Sequence, residues 1–574
     1  MSLRALLAVA AVSVPLFAFG AETVQRSGET IEVSIVNLDL VVTNKKTGQR
    51  VHGLTKNDFE VFEDGKPQAI TNFAAYAPEP KSEVTSSKTT LTTAVAVPAE
   101  APKRQRRTIA IFIERFHLAG GPVETIFDSL KKTLHEIVAP GDALLIATWD
   151  LRTEVRLDYT DDLKAIDATL AKIAKESATV SIDAIDNHMT EVNEVRAFYE
   201  EAAQSMLGSG ATGMTIPPAE IQAAIQAEAD NGAMQEKARM RAKAAAVNAL
   251  ISTMSNDDGR KVLLLMTHRF SQIAGAEFYY SISTGPGPLD GNIRAEHDTR
   301  NFLEAIKATA NAHGVTIYAL YPSGLESASL NGPTQKGIPT TETVLAQKSF
   351  NDQVLQNELA ALDDVTKATG GTVAWGSMNI ADALPRIRDD FDDYYSIAYR
   401  VTARNDNHVR RVSVRAKNGD YAVRTRTQYM EKTDDGTVRD RVVAALFRPA
   451  TPGGIDVTAT LGTRVPKSKT RYTVPVSIRV PVSSLMTNDD GGVAKGAFSV
   501  YIATGRLVGE TSDITKQTVP FTVAELEKVK DGYFTYQFDL LTDFATNRLA
   551  VGVYDEVSHD SGFAQVDLYA PQKD

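Results

Sequence analysis

The stretch Arg107-Thr-Ile-Ala-Ile-Phe-Ile-Glu-Arg-Phe-His-Leu-Ala-Gly-Gly121 decides how the chain is read. Ile109 to Ile113 is an unbroken apolar run, which reads as a strand buried on both faces of a parallel sheet. Gly120, Gly121 and Pro122 end that strand and open a helix. Val123, Ile126, Phe127, Leu130, Leu134 and Ile137 then fall on one helical stripe. Buried strand, turn and amphipathic helix make the first unit of an open α/β sheet, whose ligands sit beyond the carboxyl ends of its strands. Here that edge carries Glu114, Arg115, Phe116, His117 and Leu118. The functional question starts there.

Strands and helices alternate over residues 108–390. Ala143–Trp149 is a second apolar strand, followed by an edge strand near Glu154–Tyr159 and a helix from Asp161. Arg260–Met266 is another buried strand, ending in Thr267-His268. Val315–Leu320 follows a helix ending near His313-Gly314, and Gly371–Trp375 follows a helix from about Leu355. This alternation predicts an α/β domain with a doubly wound, mostly parallel, Rossmann-like sheet and right-handed crossovers. Two insertions interrupt it. Residues 181–254 have helical periodicity broken at Leu207–Pro218. The second helix, Ala219–Met254, would run about 50 Å, either projecting as a hairpin that meets a partner or lying on the sheet. Pro322–Phe350 is rich in Ser, Gly, Thr and Pro and reads as a loop.

β units flank this domain, so the fold class is α/β plus β. In the N-terminal β unit, residues 21–76, Ile31–Val42 alternates and Asp64-Gly65 forms a hairpin turn. Residues 77–107 read as a flexible linker whose basic end, Lys103–Arg107, is a solvated patch. Residues 391–430 supply further strands, with Asn418-Gly419 as a turn. Paired with the N-terminal unit, they would make one sandwich with the α/β domain inserted in it, a tolerable arrangement when domain ends lie close. Residues 440–574 read as a C-terminal β-sandwich of Ig-like size.

Composition narrows the function classes. Of 574 residues, 43% are hydrophobic and 23% charged, which is globular rather than disordered. A net charge of −11 with no Lys/Arg stripe argues against nucleic acid. The absence of cysteine excludes disulfides, thiolate metal sites and a cysteine nucleophile. Residues 1–20, with Arg4, the apolar run Leu6–Phe19 and Ala18-Phe-Gly20, read as a secretory signal peptide. Its removal would leave no transmembrane anchor, and a periplasmic, cell-surface or secreted protein is expected.

Catalytic motifs are missing. Gly208-Ser-Gly-Ala-Thr-Gly213 matches a dinucleotide loop in letters, but it follows a helix and runs into Ile216-Pro-Pro218. There is no G-x-S-x-G, H-E-x-x-H or P-loop. His117 has no serine, cysteine or paired carboxylate at a recognisable spacing. The runs Asp389-Asp390, Asp392-Asp393 and Asp489-Asp490 lack EF-hand spacing and read as solvated acidic faces rather than Ca²⁺ sites. The chain is therefore not expected to be an enzyme.

Several blocks together resemble a known family. Gly53-Leu-Thr-Lys-Asn-Asp-Phe-Glu-Val-Phe-Glu-Asp-Gly-Lys-Pro67, Thr369-Gly-Gly-Thr372, Asp392-Asp-Tyr-Tyr-Ser-Ile-Ala-Tyr-Arg400 and Val423-Arg-Thr-Arg426 occur in that order around the α/β region. They look like the VWFA-related proteins abundant in Acidobacteria, over roughly residues 30–430. The resemblance implies an exported protein with a von Willebrand factor type A domain and no known activity. It also implies a position for a metal-ion-dependent adhesion site holding Mg²⁺. The first strand of that motif supplies an acid and two hydroxyls, and a later strand an Asp. Here the corresponding positions are Glu114, Phe116, Leu118 and, after the later strand, Thr267-His268. Phe and Leu cannot ligate, so the site is degenerate. A metal-free edge, with Glu114 paired to Arg115 or another cation, is favoured over Mg²⁺ or another divalent metal, and no cofactor is expected.

The reading is an adhesion or protein-interaction protein with a protein partner in the cell envelope. Its candidate contacts are Glu114, Arg115, Phe116, His117, Leu118, Thr267 and His268, with the 181–254 helices. Two alternatives stand beside it. One is a metal-dependent receptor in which Glu114 and His268 rebuild a site. The other is an enzyme acting on envelope polymers, supported only by length and export.

Overall fold

The computed structural model describes residues 33–76, 106–115, 123–179, 191–192, 194–198, 201, 219–254, 259–282, 289–322, 341–375, 377–402, 404, 406–447, 454–490, 493–506, 511–522, 532–544 and 546–568. The signal-peptide and Gly208–Gly213 readings fall outside these residues, as do residues 77–105 of the linker and Phe116, His117 and Leu118; Arg107, read as the solvated end of the linker, is instead buried at the start of a strand.

Four strands precede the α/β region: β1 (Val33–Asn44), β2 (Phe59–Glu63), β3 (Lys66–Gln68) and β4 (Ile70–Tyr76). Asp64 and Gly65 both take positive φ, 46° and 79°, which lets a two-residue turn join β2 to β3 without splaying them.

The α/β region begins with β5 (Arg107–Glu114), α1 (Val123–Ile137), β6 (Ala143–Trp149), β7 (Thr153–Thr160) and α2 (Leu163–Thr179). It continues with α3 (Ala219–Ser252), β8 (Arg260–Met266), α4 (Ala276–Ile282), α5 (Gly291–Glu296), α6 (Arg300–His313) and β9 (Val315–Tyr321). It closes with α7 (Thr341–Thr369), β10 (Val373–Trp375) and α8 (Ser377–Asp392). The strands form one sheet in the order β10-β9-β8-β5-β6-β7. All neighbours are parallel except the β6–β7 pair. Chain order therefore reverses beside β5, and the crevice between the ends of β5 and β8 is the topological switch point.

Every residue of β5 is buried because the sheet is covered on both faces. Ile109, Ile111 and Ile113 pack with Phe127, Leu130 and Leu134 of α1, Ile166 and Leu170 of α2, and Leu384 and Ile387 of α8. Ala110 and Phe112 meet Met240, Val247 and Ile251 of α3, Leu303 and Ile306 of α6, and Leu362 and Val365 of α7. Period-two alternation along one strand thus serves two cores.

Over its described C-terminal part, the helical insertion is an enlarged crossover helix. Thirty-four residues make α3 about 51 Å long, against about 23 Å for seven-residue β8. Its C-terminal half lies on the sheet. Its N-terminal half overhangs and packs Ile225, Ala229 and Ala233 on Phe278 and Tyr279 of α4. The loop reading of Pro322–Phe350 fails from Thr341 on, where α7 starts, and residues 323–340 lie outside the described ones. Thr341–Ser349 is free of Gly and Pro, and local helix formers override the composition of the segment before them.

After α8 come β11 (Tyr394–Thr402), β12 (Val409–Ala416), β13 (Tyr421–Arg424) and β14 (Gln428–Met430). These pair with the first four strands, making the sheets β13-β1-β11-β4 and β14-β12-β2-β3. Val36, Leu38, Leu40, Phe59, Ile397, Tyr399 and Val412 fill the space between them. The α/β region therefore leaves this sandwich after β4 and re-enters it at β11. Helix α9 (Asp434–Phe447) follows. It packs Val438, Val442 and Leu446 against Tyr501, Ala503 and Ala550, on one face of the C-terminal sheets.

The last part of the chain consists of β15 (Thr458–Leu461), β16 (Val465–Pro466), β17 (Arg471–Pro481), β18 (Asn488–Asp490), β19 (Val493–Arg506), β20 (Thr515–Thr522), β21 (Tyr533–Asp543), β22 (Thr546–Asp555) and β23 (Ser561–Asp567). They form two antiparallel sheets, one around β17 and one around β19 and β22. Tyr472, Val474, Ile478, Phe498, Val500, Leu549 and Val551 share their core.

The first sandwich seats on the amino edge of the central sheet. Arg107 at the start of β5 donates to Asp142 at 2.7 Å and to Asp392 at 2.9 Å. Arg260 at the start of β8 donates to the Asp390 carbonyl at 2.5 Å and lies over the Tyr394 ring at 4.2 Å. Asp390 accepts from both Arg50 and Arg424. The dense carboxylate run before β11 is accordingly an ion-paired joint, since folding brings four arginines from other elements onto it. The same joint explains the Thr369-Gly-Gly-Thr372 block. A Cβ on Gly370 would stand 2.7 Å from the Arg426 backbone nitrogen, and one on Gly371 1.8 Å from the Ile317 carbonyl oxygen.

Candidate functional site

With the amino edge covered, the opposite edge presents the carboxyl ends of the strands. Glu114 ends β5, Trp149 ends β6, and Thr267 and His268 follow β8. Glu114 is 2% exposed and its Oε2 collects three donors: the Thr267 hydroxyl at 2.6 Å, Lys243 Nζ at 2.8 Å and the His268 backbone N–H at 2.9 Å. Lys243 Nζ also donates to the His268 carbonyl at 2.6 Å and lies 5.2 Å from the centre of the Trp149 ring.

Helix geometry puts Lys243 there. It is four residues before Val247 and one before Ala244, on the stripe of α3 that faces the sheet. Helical side chains lean toward the helix N-terminus, and α3 runs antiparallel to the strand it precedes, so the lysine reaches beyond the strand ends. Its aliphatic stem is buried with its neighbours, and its head is 3% exposed with two oxygen acceptors and a π face.

The remaining candidates separate by direction. Arg115, next along β5, points away from Glu114. It pairs with Asp150 and, at 2.7 Å, with Glu176, so the expected Glu114–Arg115 pair does not form. The reason is the alternation of adjacent side chains in an extended strand. Glu176 also accepts from Arg156 at 2.7 Å, and that hydrogen bond holds its carboxyl below the usual range. His268 turns its ring to the Pro322 carbonyl, Nε2 to oxygen 2.8 Å, and beside Tyr321. The proposed Glu114–His268 metal pair is therefore met by the backbone of His268 and not by a ligating geometry of its imidazole. Thr267 is 1% exposed and spends its hydroxyl on Glu114.

These residues do not fit a resident divalent ion. Such an ion takes six or more oxygen ligands and keeps an open position for a partner. Here the one central carboxylate already neutralises an ammonium and accepts a hydroxyl and an amide. Among the described residues no group of three or more His, Cys, Asp and Glu side chains converges to hold a metal. Around the buried centre the rim carries one exposed apolar side chain toward each end of the sheet. Leu151, in the turn after β6, is 38% exposed, and Trp375, ending β10, is 47% exposed.

Residue reasoning on the sequence missed Lys243 and Trp149. A lysine within the apolar stripe Met240, Ala244, Val247, Leu250 was the available signal, because a buried cation needs a partner. A second concavity also had no sequence signal. A groove of about 1760 Å³ opens between β20 and β21, lined by Thr518, Val519, Tyr536 and Phe538 among others.

No protein-family model matches the chain, and no curated protein matches it. Solved structures with some likeness include the vWF domain of the type V pili tip protein Mfa5 from Porphyromonas gingivalis. It is 9% identical, with 49% of this chain and 94% of that one covered and a TM-score of 0.23. A von Willebrand factor type A protein from Catenulispora acidiphila is 9% identical over 72% of this chain and 66% of that one, TM-score 0.25. The pilus adhesin SpaC from Lactobacillus rhamnosus GG is 8% identical over 92% of this chain and 59% of that one, TM-score 0.23. Likeness at this level carries no functional argument.

Proposed function

We propose that the chain is an exported protein-interaction or adhesion module. Its α/β domain is of von Willebrand A type, and the carboxyl edge of the sheet meets a protein partner without a metal ion. The observation that carries the reading is the buried Glu114–Lys243 pair at the switch point, the place where open α/β sheets receive ligands. A fold that normally leaves this crevice open here fills it with its own ammonium. The rim then offers what protein interfaces use: an exposed tryptophan, an exposed leucine and an arginine–carboxylate cluster. The amino edge is committed to the sandwich, which supports recognition from the opposite side.

Site-specific photocrosslinking in the producing cells tests this. A crosslinker at Leu151 or Trp375 is expected to capture one envelope protein, with or without EDTA. The same crosslinker at Val409, exposed on the first sandwich, is expected to capture nothing in common with it. Equal capture from both places, or capture abolished by chelation, would sink the reading.

A further inference from the structure

A strand at the edge of a sheet offers N–H and C=O groups to any other strand, and proteins blunt such edges with short strands, bulges, lysine or proline. Among the described residues, most edges are blunted in one of these ways. β3, β10, β13, β14, β15 and β18 run only three or four residues. β4 and β7 shift register against their neighbours. β20 carries Lys516 and Pro520. β23 is met by the chain before β15, where the Ile455 N–H donates to the Ser561 carbonyl at 3.4 Å.

β21 has none of these devices. It is eleven residues long, Tyr-Phe-Thr-Tyr-Gln-Phe-Asp-Leu-Leu-Thr-Asp, without lysine, arginine, proline or glycine. It pairs with β17 in unbroken register over its whole length and, among the described residues, with no other strand. Tyr536 to Asp539 line the groove of about 1760 Å³ that β21 shares with β20, so there is room beside the strand. Along Tyr533–Asp539 the side chains alternate. Tyr533, Thr535, Gln537 and Asp539 are exposed, and Phe534, Tyr536 and Phe538 are half-buried on the inner face. From Leu540 the inner face is buried.

We propose that β21 is a self-association edge: two copies of the chain pair antiparallel through Tyr533–Asp539, across a two-fold axis at Tyr536. The sheets built around β17 in the two copies then become one. A second copy is the occupant because the strand complements itself. A two-fold axis brings each residue to the mirrored position of its own sequence. With the axis at Tyr536, the midpoint of the alternating run, Phe534 meets Phe538 and Tyr536 meets itself on the inner face. On the outer face Thr535 meets Gln537, and the Tyr533 hydroxyl meets the Asp539 carboxylate. Aromatic pairs and hydroxyl–amide pairs are favourable cross-strand neighbours. The two carboxylates of the strand never oppose each other, since Asp543 lies outside the paired span. Covering the half-buried rings supplies the apolar part of the interface. This surface is on the C-terminal sandwich and goes beyond the reading of the central sheet's carboxyl edge.

Sedimentation velocity of the full chain over a concentration series is the test. The wild type is expected to form dimers at concentrations on the order of 10 μM. Thr535→Lys/Gln537→Lys opposes lysine to lysine in the outer pairs and is expected to weaken the dimer about tenfold or more. Thr535→Glu/Gln537→Glu is expected to do the same. An equimolar mixture of the two variants opposes lysine to glutamate and is expected to restore the dimer. Both positions are exposed, so each variant should melt within about 2 °C of the wild type. A wild type that stays monomeric at about 100 μM overturns the proposal. So does a dimer indifferent to the lysines, a mixture that stays monomeric, or an assembly that grows past two copies. Capture at Leu151 or Trp375 enters none of these outcomes, so the two readings fall separately.

Discussion

The two edges of the central sheet use the same chemistry for opposite ends. At the amino edge, Arg107 and Arg260 begin adjacent strands and bind carboxylates and carbonyls of the segment leading into β11. Arg260 also pairs with Asp39 of β1 at 3.6 Å, and Asp390 of α8 pairs with Arg50 and Arg424, so the ion pairs of this edge join the α/β region to the first sandwich. At the carboxyl edge, Glu114 ends one of those strands and binds a lysine from the crossover helix of the same domain. That pair joins nothing new and closes a crevice. The lesson is that a buried ion pair has no fixed meaning. What it spans decides whether it is a joint or a plug.

Substitutions at the two edges sharpen that contrast. The largest effect is expected at the plug. Glu114→Leu leaves the Lys243 ammonium buried without its carboxylate and should cost about 3–5 kcal/mol in urea unfolding. The double variant Glu114→Leu/Lys243→Met removes both charges and should recover most of that loss. Additive losses would mean that the pair is not a closed unit. At the joint, Asp390→Ala removes the acceptor shared by Arg50 and Arg424. These arginines keep partial access to water, with side chains 20% and 27% exposed, so a smaller cost of about 2 kcal/mol is expected. A cost as large as that at Glu114 would erase the distinction.

A third contact lies between the α/β domain and the helix leading to the C-terminal sheets, and it should respond to pH. His313 Nε2 is 2.8 Å from Asp440, which Lys432 also approaches. Burial pushes the His313 imidazole below its ordinary value, against the pull of Asp440. Asp440 is held low, its burial outweighed by the hydrogen bond from His313 and the charge of Lys432. The unfolded histidine takes up a proton near pH 6.5 while the folded one does not. Stability should therefore fall as pH drops below about 6.5, by at most about 1.4 kcal/mol per pH unit. The carboxylate's own contribution is lost only at lower pH, as pH falls from 3.8 through its depressed folded value. Urea midpoints measured from pH 7.5 to 5.5 should slope in the wild type and slope less in His313→Gln, where His297, also held low by burial, supplies the remainder. An unchanged slope would place the titrating group elsewhere. The smallest effect is expected at a site remote from both edges. Gly65→Ala, at φ 79° in open space, should cost about 1 kcal/mol in urea unfolding, and no cost would mean that the turn tolerates a side chain there.

The central sheet was legible because its strands are apolar throughout. Ile109–Ile113, Ala143–Trp149 and Val262–Met266 are buried on both faces, and a strand of that kind announces itself by composition. The end of α6 was legible at Gly314, which takes the left-handed φ of 68° that stops a helix. The carboxylates before β11 were misread as solvated, because their arginine partners lie 34 to 340 residues away in sequence. Glu114 could be singled out from its position alone, but its partner could not. Lys243 is 129 residues from it and on another element.

What the sequence alone determined is the local part: which segments are strands and helices, which faces are apolar and where turns can form. Those properties follow from side-chain shape and periodicity within a few residues. Tertiary structure alone decided which charges meet. It placed Lys243 in the crevice beside Glu114, turned Arg115 toward Asp150 and Glu176, and brought four arginines to the chain before β11. A charge carries no record of its partner in its neighbours along the chain. The pairing is chosen only when burial removes water and leaves each ion the nearest opposite charge that the fold supplies.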